Sequence, residues 1–474
     1  MKELSRRNFL SMLAGGSAVT LAPNGPMAWS FPPRSPGAEI LPRPTQGQLD
    51  WQNFELGILY SFDMPVYAPG GWSWNASKKV MNPRLYNPEK LDMDQWLAAS
   101  KALGAKYAIF TATHFNGFLQ WQSDIYPYGL KQAKWRNGKG DLVKDFVEAC
   151  HRHNVRPGLF LSCIHNAYWK VWEGRVNWGK GGPGQAKFAR ICEQMVEELC
   201  SRYGPLAEIW FDAGLLTPDE GGPNVLPIVE KYQPNTVFYH SAQRADHRWI
   251  GNENGLAGYP CWATMPSPNE VEVAYHKGPR GVIANLLSHG DPEGKSWSPG
   301  MVDVPIRDHD WFWVPDHDQK VFPLDRLMEM YYTSVGRNCT FIIGAVPNPH
   351  GLVPETDFQR YAELGKEIRR RFGKPISEGR GNGNSVEIVL PRPATIDHVA
   401  AMEEIAHGER IREYVIEGLA PGNNWETLCR GFSIGHKRIQ RFSPVEVSRV
   451  RLRSTRSVAQ PMLRSLAVYN VEAS

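Results

Sequence analysis

The strongest constraint on the fold of this chain is an alternation of short apolar runs with helical patterns, sustained over about 320 residues. Strands are predicted at residues 54–62, 105–113, 155–162, 206–212, 235–241 and 340–346, and helices at 91–103, 141–153, 185–203, 324–335 and 354–372. Strict alternation of this kind is typical of a parallel sheet with both faces covered by helices. It predicts a (β/α)8-type barrel over residues 45–373, within which residues 254–313 are too irregular to divide into strands.

A doubly wound open sheet shares the alternation and remains the structural alternative. However, the Gly-x-Gly-x-x-Gly pattern that marks many such sheets does not follow the first strand.

Beyond residue 373 the composition changes. Residues 374–385 are rich in Gly, Ser and charge and are predicted to be a linker, whereas 386–390, 412–416 and 445–452 alternate with period two. These runs predict a C-terminal antiparallel β-sandwich over residues 386–474, more suited to bracing the barrel than to binding glycan.

The N-terminus carries the pattern of an export signal. Arg6 and Arg7 precede a modestly apolar stretch at residues 12–22, which predicts a twin-arginine signal peptide over residues 1–28. That stretch is too short for a membrane span, so we expect a mature chain without one, in the periplasm or outside the cell. The 7 cysteines lack CxxC spacing and are interpreted as buried apolar residues rather than as a disulfide framework.

The composition indicates which partners and cofactors to expect. The net charge of +4 is spread without long basic runs, so no nucleic-acid partner is expected. Clusters of His, Cys and carboxylates with ligand spacing are not apparent in the sequence, so neither a metal nor another cofactor is predicted. Many of the 17 Trp residues lie beside Gly, Pro or Asn. Such aromatics line sugar-binding clefts, although core packing explains any single one equally well.

In a parallel barrel, active sites lie at the C-terminal ends of the strands. This rule selects Ser61, Asp63, His114, Asn116, Ser162, His165, Asp212 and His240. Asp212 stands out because it directly follows the apolar run Ile209-Trp210-Phe211, and Ala213-Gly214 leaves space beside it. A helix-capping role fits poorly, since the next helical pattern begins only near Asn224. We therefore predict that Asp212 is a catalytic nucleophile.

Glycoside hydrolysis requires a second carboxyl group that is protonated when the bond breaks. Glu253 is the preferred candidate, because Trp249 nearby is expected to lower the local polarity and raise its pKa. Asp303 and Glu270 are the rival candidates.

Several stretches together resemble glycoside hydrolase family 29, the α-L-fucosidases. They are residues 91–121 with His114-Phe-Asn-Gly-Phe118, Trp135-Arg-Asn-Gly-Lys-Gly-Asp141, residues 203–212, Arg248-Trp-Ile-Gly-Asn-Glu253, residues 297–313 continuing to Ser334-Val-Gly-Arg-Asn338, and Gly431-Phe-Ser-Ile-Gly-His-Lys-Arg438. The second and fourth are similar to the subgroup acting on α-1,3/1,4-linked fucose. The resemblance implies a barrel with a C-terminal sandwich, an oligo- or polysaccharide substrate, and a retaining mechanism with carboxyl groups about 5–5.5 Å apart. It also implies that Asp212 is the nucleophile, Glu253 the acid/base and His114 a sugar-binding residue.

The chain departs from the family pattern in the sugar pocket. Ser61, Phe115 and Asn116 replace two histidines and an aspartate, and Ser73-Trp74 replaces a Glu-Trp pair. These changes make an α-L-galactoside an alternative substrate and an inactive carbohydrate-binding protein a second alternative. A sulfated glycan is a further possibility, with Arg244, Arg248 and Lys277 as anion contacts. The predicted substrate-binding residues are Ser61, Trp74, His114, Phe115, Asn116, His165, Trp210, Arg248 and Trp249.

Overall fold

A computed structural model describes residues 41–176, 184–266 and 281–472, together with two paired two-residue strands, Val19–Thr20 and Ala28–Trp29. The predicted signal peptide therefore lies almost entirely outside the described residues. The first part of the chain is built on eight parallel strands: β1 (Leu56–Tyr60), β2 (Tyr107–Thr113), β3 (Arg156–Leu161), β4 (Glu208–Phe211), β5 (Val237–Tyr239), β6 (Arg248–Trp249), β7 (Gly300–Pro305) and β8 (Cys339–Ala345). Neighbouring strands follow chain order, and β8 pairs with β1.

Helices flank these strands, on their outer faces and at the N-terminal end of the barrel. They are α1 (Gln46–Phe54), α2 (Met93–Leu103), α3 (Leu142–Arg152), α4 (Gln185–Arg202), α5 (Leu226–Tyr232), α6 (Val282–His289), α7 (Leu324–Thr333) and α8 (Glu355–Phe372). Shorter helical segments are Met64–Tyr67, Trp74–Ser77, Pro83–Leu85, Leu130–Gln132, Trp135–Gly138, Pro218–Glu220, Asp318–Lys320 and Ile405–His407, and short strand pairs join Val171–Trp172 to Arg175–Val176 and Thr264–Met265 to Ser296–Trp297. Among the described residues, the helices are all too short or too polar to cross a membrane.

The barrel is nearly closed. Within the described residues, the ladder runs from β6 through β7, β8 and β1 to β5, and β5 and β6 are not paired as strands. Instead, the backbone N–H of Asp246 donates to the Phe238 carbonyl over 3.2 Å, and its carboxylate accepts from the Phe238 N–H over 2.8 Å. This seam therefore lies between β5, which follows Asp212 and β4 in the chain, and β6, which leads to Glu253.

Helix α1 closes the N-terminal end of the barrel. Its Trp51 is fully buried and donates from Nε1 to Glu208 over 2.8 Å. The other Glu208 carboxylate oxygen contacts Nε2 of His247 at 2.8 Å, and the His247 ring stacks on Trp51 at 4.5 Å. Because the buried carboxylate is hydrogen-bonded on both oxygens, the closed end of the barrel is sealed without an unpaired charge.

The C-terminal domain is a six-stranded antiparallel sheet of β9 (Ser377–Asn382), β10 (Ser385–Glu403), β11 (Ile411–Ala420), β12 (Asn424–Gly431), β13 (Arg438–Ser457) and β14 (Met462–Tyr469). Register shifts divide the long strand β10 where it pairs with β13. A separate apolar cluster that includes Ile396, Ile411 and Leu466 forms its core. The predicted barrel followed by an antiparallel β-domain is confirmed.

One expectation is corrected. Residues 374–385 are not only a linker, because β9 lies within them and pairs with β14 around a bulge at Gly379/Gly381. Its pairing depends on backbone groups, so its Gly-rich composition gave no strand signal. The region 254–313, which could not be divided from the sequence, contains α6 and β7.

Candidate active site

Strand alternation brings Asp212 into the mouth of the barrel. Side chains two apart lie on the same face of a strand, and Trp210 belongs to the apolar cluster inside the barrel. Asp212 continues this inward series after the end of β4, and its backbone N–H donates to the Leu161 carbonyl of β3 over 2.9 Å. Ala213 and Gly214 follow with positive φ angles of 54° and 86°, which turn the chain sharply away from the carboxylate.

His114 reaches the same mouth because of a bulge in β2. The pairing of β2 with β3 skips one residue between Thr111 and Thr113, so the inward alternation shifts by one position. The buried His114 ring then lies with Nε2 3.3 Å from Oδ2 of Asp212, and with its face 3.9 Å from the Phe115 ring. The imidazole and the carboxyl group of Asp212 therefore face each other at the mouth of the barrel.

Glu253 enters from the loop after β6. Nε1 of Trp311 donates to its Oε2 over 2.9 Å. Trp311 packs against Gly344 of β8, where a Cβ would come within 2.8 Å of the indole ring, so this glycine makes room for the ring. Although Glu253 as a residue is exposed, the partial loss of water around its carboxyl group raises its pKa; the Trp311 hydrogen bond lowers it, and the negative charge of Asp212 raises it.

Asp303 is a third carboxyl group at the mouth. It follows Met301 by two positions on β7 and therefore shares its inward face. Its Oδ1 accepts a hydrogen bond from Nε1 of Trp249 over 2.7 Å.

These side chains surround one cavity of about 490 Å³. Its polar wall consists of Ser61, His114, Asp212, His240, Glu253, Asp303 and His309. Its aromatic wall consists of Trp72, Trp74, Phe115, Phe160, Trp210, Tyr239, Trp249, Trp311 and Phe312. Trp72 and Phe312 stack at 5.1 Å, whereas Trp74 is 58% exposed at the rim. A concave site with aromatic faces and a few convergent polar groups is typical of a binding site for a small polar ligand such as a sugar.

Arg248 was predicted to contact the sugar but lies outside the cavity. Because Trp249 pairs with the inward residue Met301, the preceding side chain points outward. The buried guanidinium instead donates to the carbonyls of Leu287 and Ser298 and to the thiol of Cys261. Of the other suggested anion contacts, Arg244 forms ion pairs with Asp246 and Glu230, and Lys277 lies outside the described residues, as does Glu270.

Two further predicted contacts lie behind the cavity wall. Asn116 is fully buried, and its Oδ1 accepts from the Phe118 N–H over 2.8 Å, so it shapes the turn after β2. His165 packs edge-on against Phe115 and lines a smaller neighbouring cavity with Glu173 and Leu216. Burial lowers the pKa of His165 to about 4, which keeps the ring neutral. The other predicted substrate-binding residues all line the main cavity.

Sequence reasoning missed much of the aromatic wall. Trp72 and Phe160 had no strand-end signal, while His309, Trp311 and Phe312 fall in the segment that could not be divided into strands. The run Trp311-Phe-Trp313 was the available signal, since three aromatics in a loop are unusual for a solvated connection.

A sequence model described as "Alpha-L-fucosidase" matches residues 47–371, which is more than half of the chain. The chain belongs to the α-L-fucosidase family. The curated α-L-fucosidase 1 of Arabidopsis thaliana is 28% identical over 478 aligned residues, covering 91% of this chain and 88% of the plant protein.

Solved structures of fucosidase relatives have the same architecture. A Bacteroides thetaiotaomicron VPI-5482 protein assigned to the α-L-fucosidases superposes with a TM-score of 0.85 at 42% identity, covering 91% of this chain and 99% of that one. A glycoside hydrolase 29 family member from an unknown rumen bacterium gives a TM-score of 0.76 at 27% identity, covering 91% of this chain and 78% of that one. Like other members of the α-L-fucosidase family, this chain is therefore a glycoside hydrolase.

Proposed function

We propose that this enzyme is a retaining, exo-acting α-L-fucosidase in which Asp212 is the nucleophile and Glu253 is the acid/base. The observation that carries the proposal is that the two carboxyl groups line one cavity in different surroundings. Asp212 lies 3.3 Å from Nε2 of His114, directly after a buried strand, and we assign it the nucleophilic role. Partial loss of water around its carboxyl group and the charge of Asp212 raise the pKa of Glu253, against a lowering by the Trp311 hydrogen bond, and the net rise supports a protonated form. Retaining glycosidases require this pairing of an ionised and a protonated carboxyl group.

The reaction then follows in two steps. Asp212 attacks the anomeric carbon and forms a glycosyl ester, while Glu253 transfers its proton to the departing glycosidic oxygen. Glu253, now ionised, takes a proton from water as the water oxygen bonds to the anomeric carbon, and the bond between that carbon and the Asp212 oxygen breaks, which releases the Asp212 carboxylate. Each carboxyl group returns to its initial state, and the sugar leaves with the configuration it had in the substrate.

L-Fucose is the preferred sugar because much of the cavity wall is apolar. Phe115 is 6% exposed, lies on the His114 ring, and offers the cavity an aromatic face where a histidine would offer a hydrogen bond. Such a surface suits the C6 methyl group of fucose. A hydroxyl at C6, as in L-galactose, would lose hydrogen bonds to water at an apolar wall at a cost of about 1–3 kcal/mol.

Hydrolysis of aryl α-L-fucoside and aryl α-L-galactoside, measured side by side, tests the sugar. We expect the fucoside to be the better substrate. Faster hydrolysis of the galactoside would reassign the sugar, and binding of free L-fucose without turnover of either compound would identify a carbohydrate-binding protein instead.

Asp212→Ala tests the nucleophile. We expect kcat/KM to fall by roughly three orders of magnitude or more, with partial recovery in azide as the small anion attacks in place of the carboxylate. Proton NMR of the first-formed product should show the α-anomer. An initial β-anomer, or an unchanged rate in the variant, would contradict the mechanism.

The linkage and the cellular location are further parts of the proposal. Residues 135–141 and 248–253 resemble the subgroup acting on α-1,3/1,4-linked fucose, so α-1,3- and α-1,4-fucosylated N-acetyllactosamine should be cleaved faster than α-1,2-fucosylated lactose.

Arg6 and Arg7 support export by the twin-arginine route to the periplasm or beyond. Replacing both with Lys should retain the protein in the cytoplasm, and unchanged fractionation would refute this location.

A further inference from the structure

The proposed mechanism with two carboxyl groups gives no role to Asp303, a third carboxyl group in the cavity. It lies on the inward face of β7, lines the cavity and is only 5% exposed. Its Oδ1 is engaged by the indole N–H of Trp249 at 2.7 Å. We therefore assign contact with a ligand to Oδ2, the carboxyl oxygen that the Trp249 indole does not engage.

The surroundings of Asp303 disfavour a third negative charge. Among the described residues that line the cavity, the basic side chains are His114, His240 and His309, with neither Lys nor Arg. Burial raises the pKa of Asp303 well above its usual range, and the charges of Glu253 and Asp212 raise it further, against a lowering by the Trp249 hydrogen bond. On the deeper side lies the phenol of Tyr107, whose pKa burial raises well above its usual range, so this neighbour supplies Asp303 with no positive charge.

We propose that Asp303 is a substrate-binding residue that works as a neutral carboxylic acid, accepting from Trp249 through one oxygen and donating the proton on the other to a hydroxyl of the bound sugar. A carboxylic acid has one O–H donor that a carboxylate lacks. It thus supplies a donor in a pocket where Ser61 and Phe115 stand in place of two histidines of the family pattern. This inference rests on the proposed glycosidase function, and it assigns Asp303 a role distinct from that of the acid/base.

The pair Asp303→Asn and Asp303→Ala separates a neutral donor from a charged group. Asn keeps an acceptor for Trp249 and an N–H donor for the sugar, so we expect kcat/KM within about threefold of the wild type. Ala removes both, and we expect a roughly ten- to hundredfold loss of kcat/KM on the aryl fucoside with a melting temperature close to that of the wild type. Full activity in Asp303→Ala would overturn the proposal. So would a severe loss in Asp303→Asn that azide rescues, which would make Asp303 the acid/base.

The pH profile gives a readout that a purely structural role would not change. If Asp303 is neutral, Asp303→Asn leaves the alkaline limb of kcat/KM where it was. If Asp303 is ionised, the variant removes a negative charge near Glu253, lowers the pKa of Glu253 and moves that limb to lower pH, contrary to the proposal. Glu409→Gln is the matched control, because burial raises the pKa of Glu409 to about 8 at a site outside the cavity. We expect this control to leave activity and its pH profile unchanged.

Trp249→Phe tests whether Asp303 acts only by holding the indole. We expect Asp303→Ala to cause a further loss of kcat/KM in the Trp249→Phe background. Equal losses in both single variants and in the double variant would reduce Asp303 to a positioning residue.

Calorimetry with free L-fucose should show weaker binding by Asp303→Ala. If the wild type neither hydrolyses the glycosides nor binds the sugar, the proposed function itself fails, and comparison with the wild type identifies that failure before the variants are considered.

Discussion

Glu55 joins the barrel to the C-terminal domain through a largely buried charge cluster, and its replacement by Gln should destabilise the protein. Oε1 of Glu55 contacts Nε2 of His436 at 2.9 Å, and Oε2 accepts from Nζ of Lys437 at 2.6 Å. The side chains of Glu55 and Lys437 are 17% and 18% exposed. Glu55→Gln keeps the shape of the side chain but leaves the lysine ammonium without its counter-charge.

The size of the effect follows from the burial. Removing one partner of a fully buried pair costs about 3–5 kcal/mol, and the partial exposure here reduces this to roughly 2–3 kcal/mol. An unfolding entropy of about 2.1 cal/mol/K per residue makes that loss a fall in Tm of roughly 2–3 °C if the chain unfolds as one unit. If the C-terminal domain melts separately, the same loss lowers its own transition by about 10 °C or more.

Differential scanning calorimetry across pH tests the reasoning. Lys437 and His436 hold the pKa of Glu55 well below its usual value of 4.5 despite burial. A depressed pKa contributes stability above the unfolded-state pKa and loses it as pH falls, so the gap between wild type and variant should be full at pH 7 and shrink below about pH 4.5. The control is Glu329→Gln, which breaks an exposed Arg441–Glu329 pair between the same domains, with side chains 50% and 54% exposed, and should cost less than about 1 kcal/mol. Equal losses in both variants, or a gap unchanged down to pH 3, would refute the account.

Three further variants probe the cavity. Trp311→Phe removes the N–H that favours ionised Glu253, so the pKa of Glu253 should rise and the alkaline limb of the pH–rate profile should move to higher pH; a shift in the opposite direction would contradict this assignment. His114→Phe removes the donor beside Asp212 and should lower kcat by roughly ten- to hundredfold in stopped-flow turnover of an aryl fucoside, whereas a change in KM alone would limit His114 to sugar binding. Phe115→Ala should raise the ratio of galactosidase to fucosidase activity by opening space at the apolar wall, and an unchanged ratio would show that Phe115 does not face C6.

The barrel was predictable because its hydrophobic alternation is periodic and local. Strands β1 to β5 and β8, with the helices that follow from the 3.6-residue pattern, lie within a few residues of their predicted bounds. Asp212 was recognisable for the same reason, since a carboxylate directly after a buried strand occupies the catalytic end of a barrel.

The rest depends on information that periodicity does not contain. Strand β6 has only two residues, too few to show alternation, so the outward orientation of Arg248 could not be inferred. The inward turn of His114 depends on a bulge in β2, and the contact of Trp311 with Glu253 depends on the space above Gly344. These are features of pairing and close approach between segments far apart in the chain.

The seam between β5 and β6 separates the two proposed catalytic carboxyl groups, with Asp212 on the β4 side and Glu253 beyond β6. A hydrogen-bonded ladder would fix both groups to one rigid frame, so that any change in their spacing would disturb several strand pairs. Here the Asp246–Phe238 hydrogen bonds join the two sides in place of a strand ladder, and an insertion or deletion in the loop at residues 250–258 leaves the eight-strand ladder intact. The position of the proposed acid/base can therefore change without rebuilding the strand of the proposed nucleophile, which makes this loop a suitable target for engineering new linkage preferences.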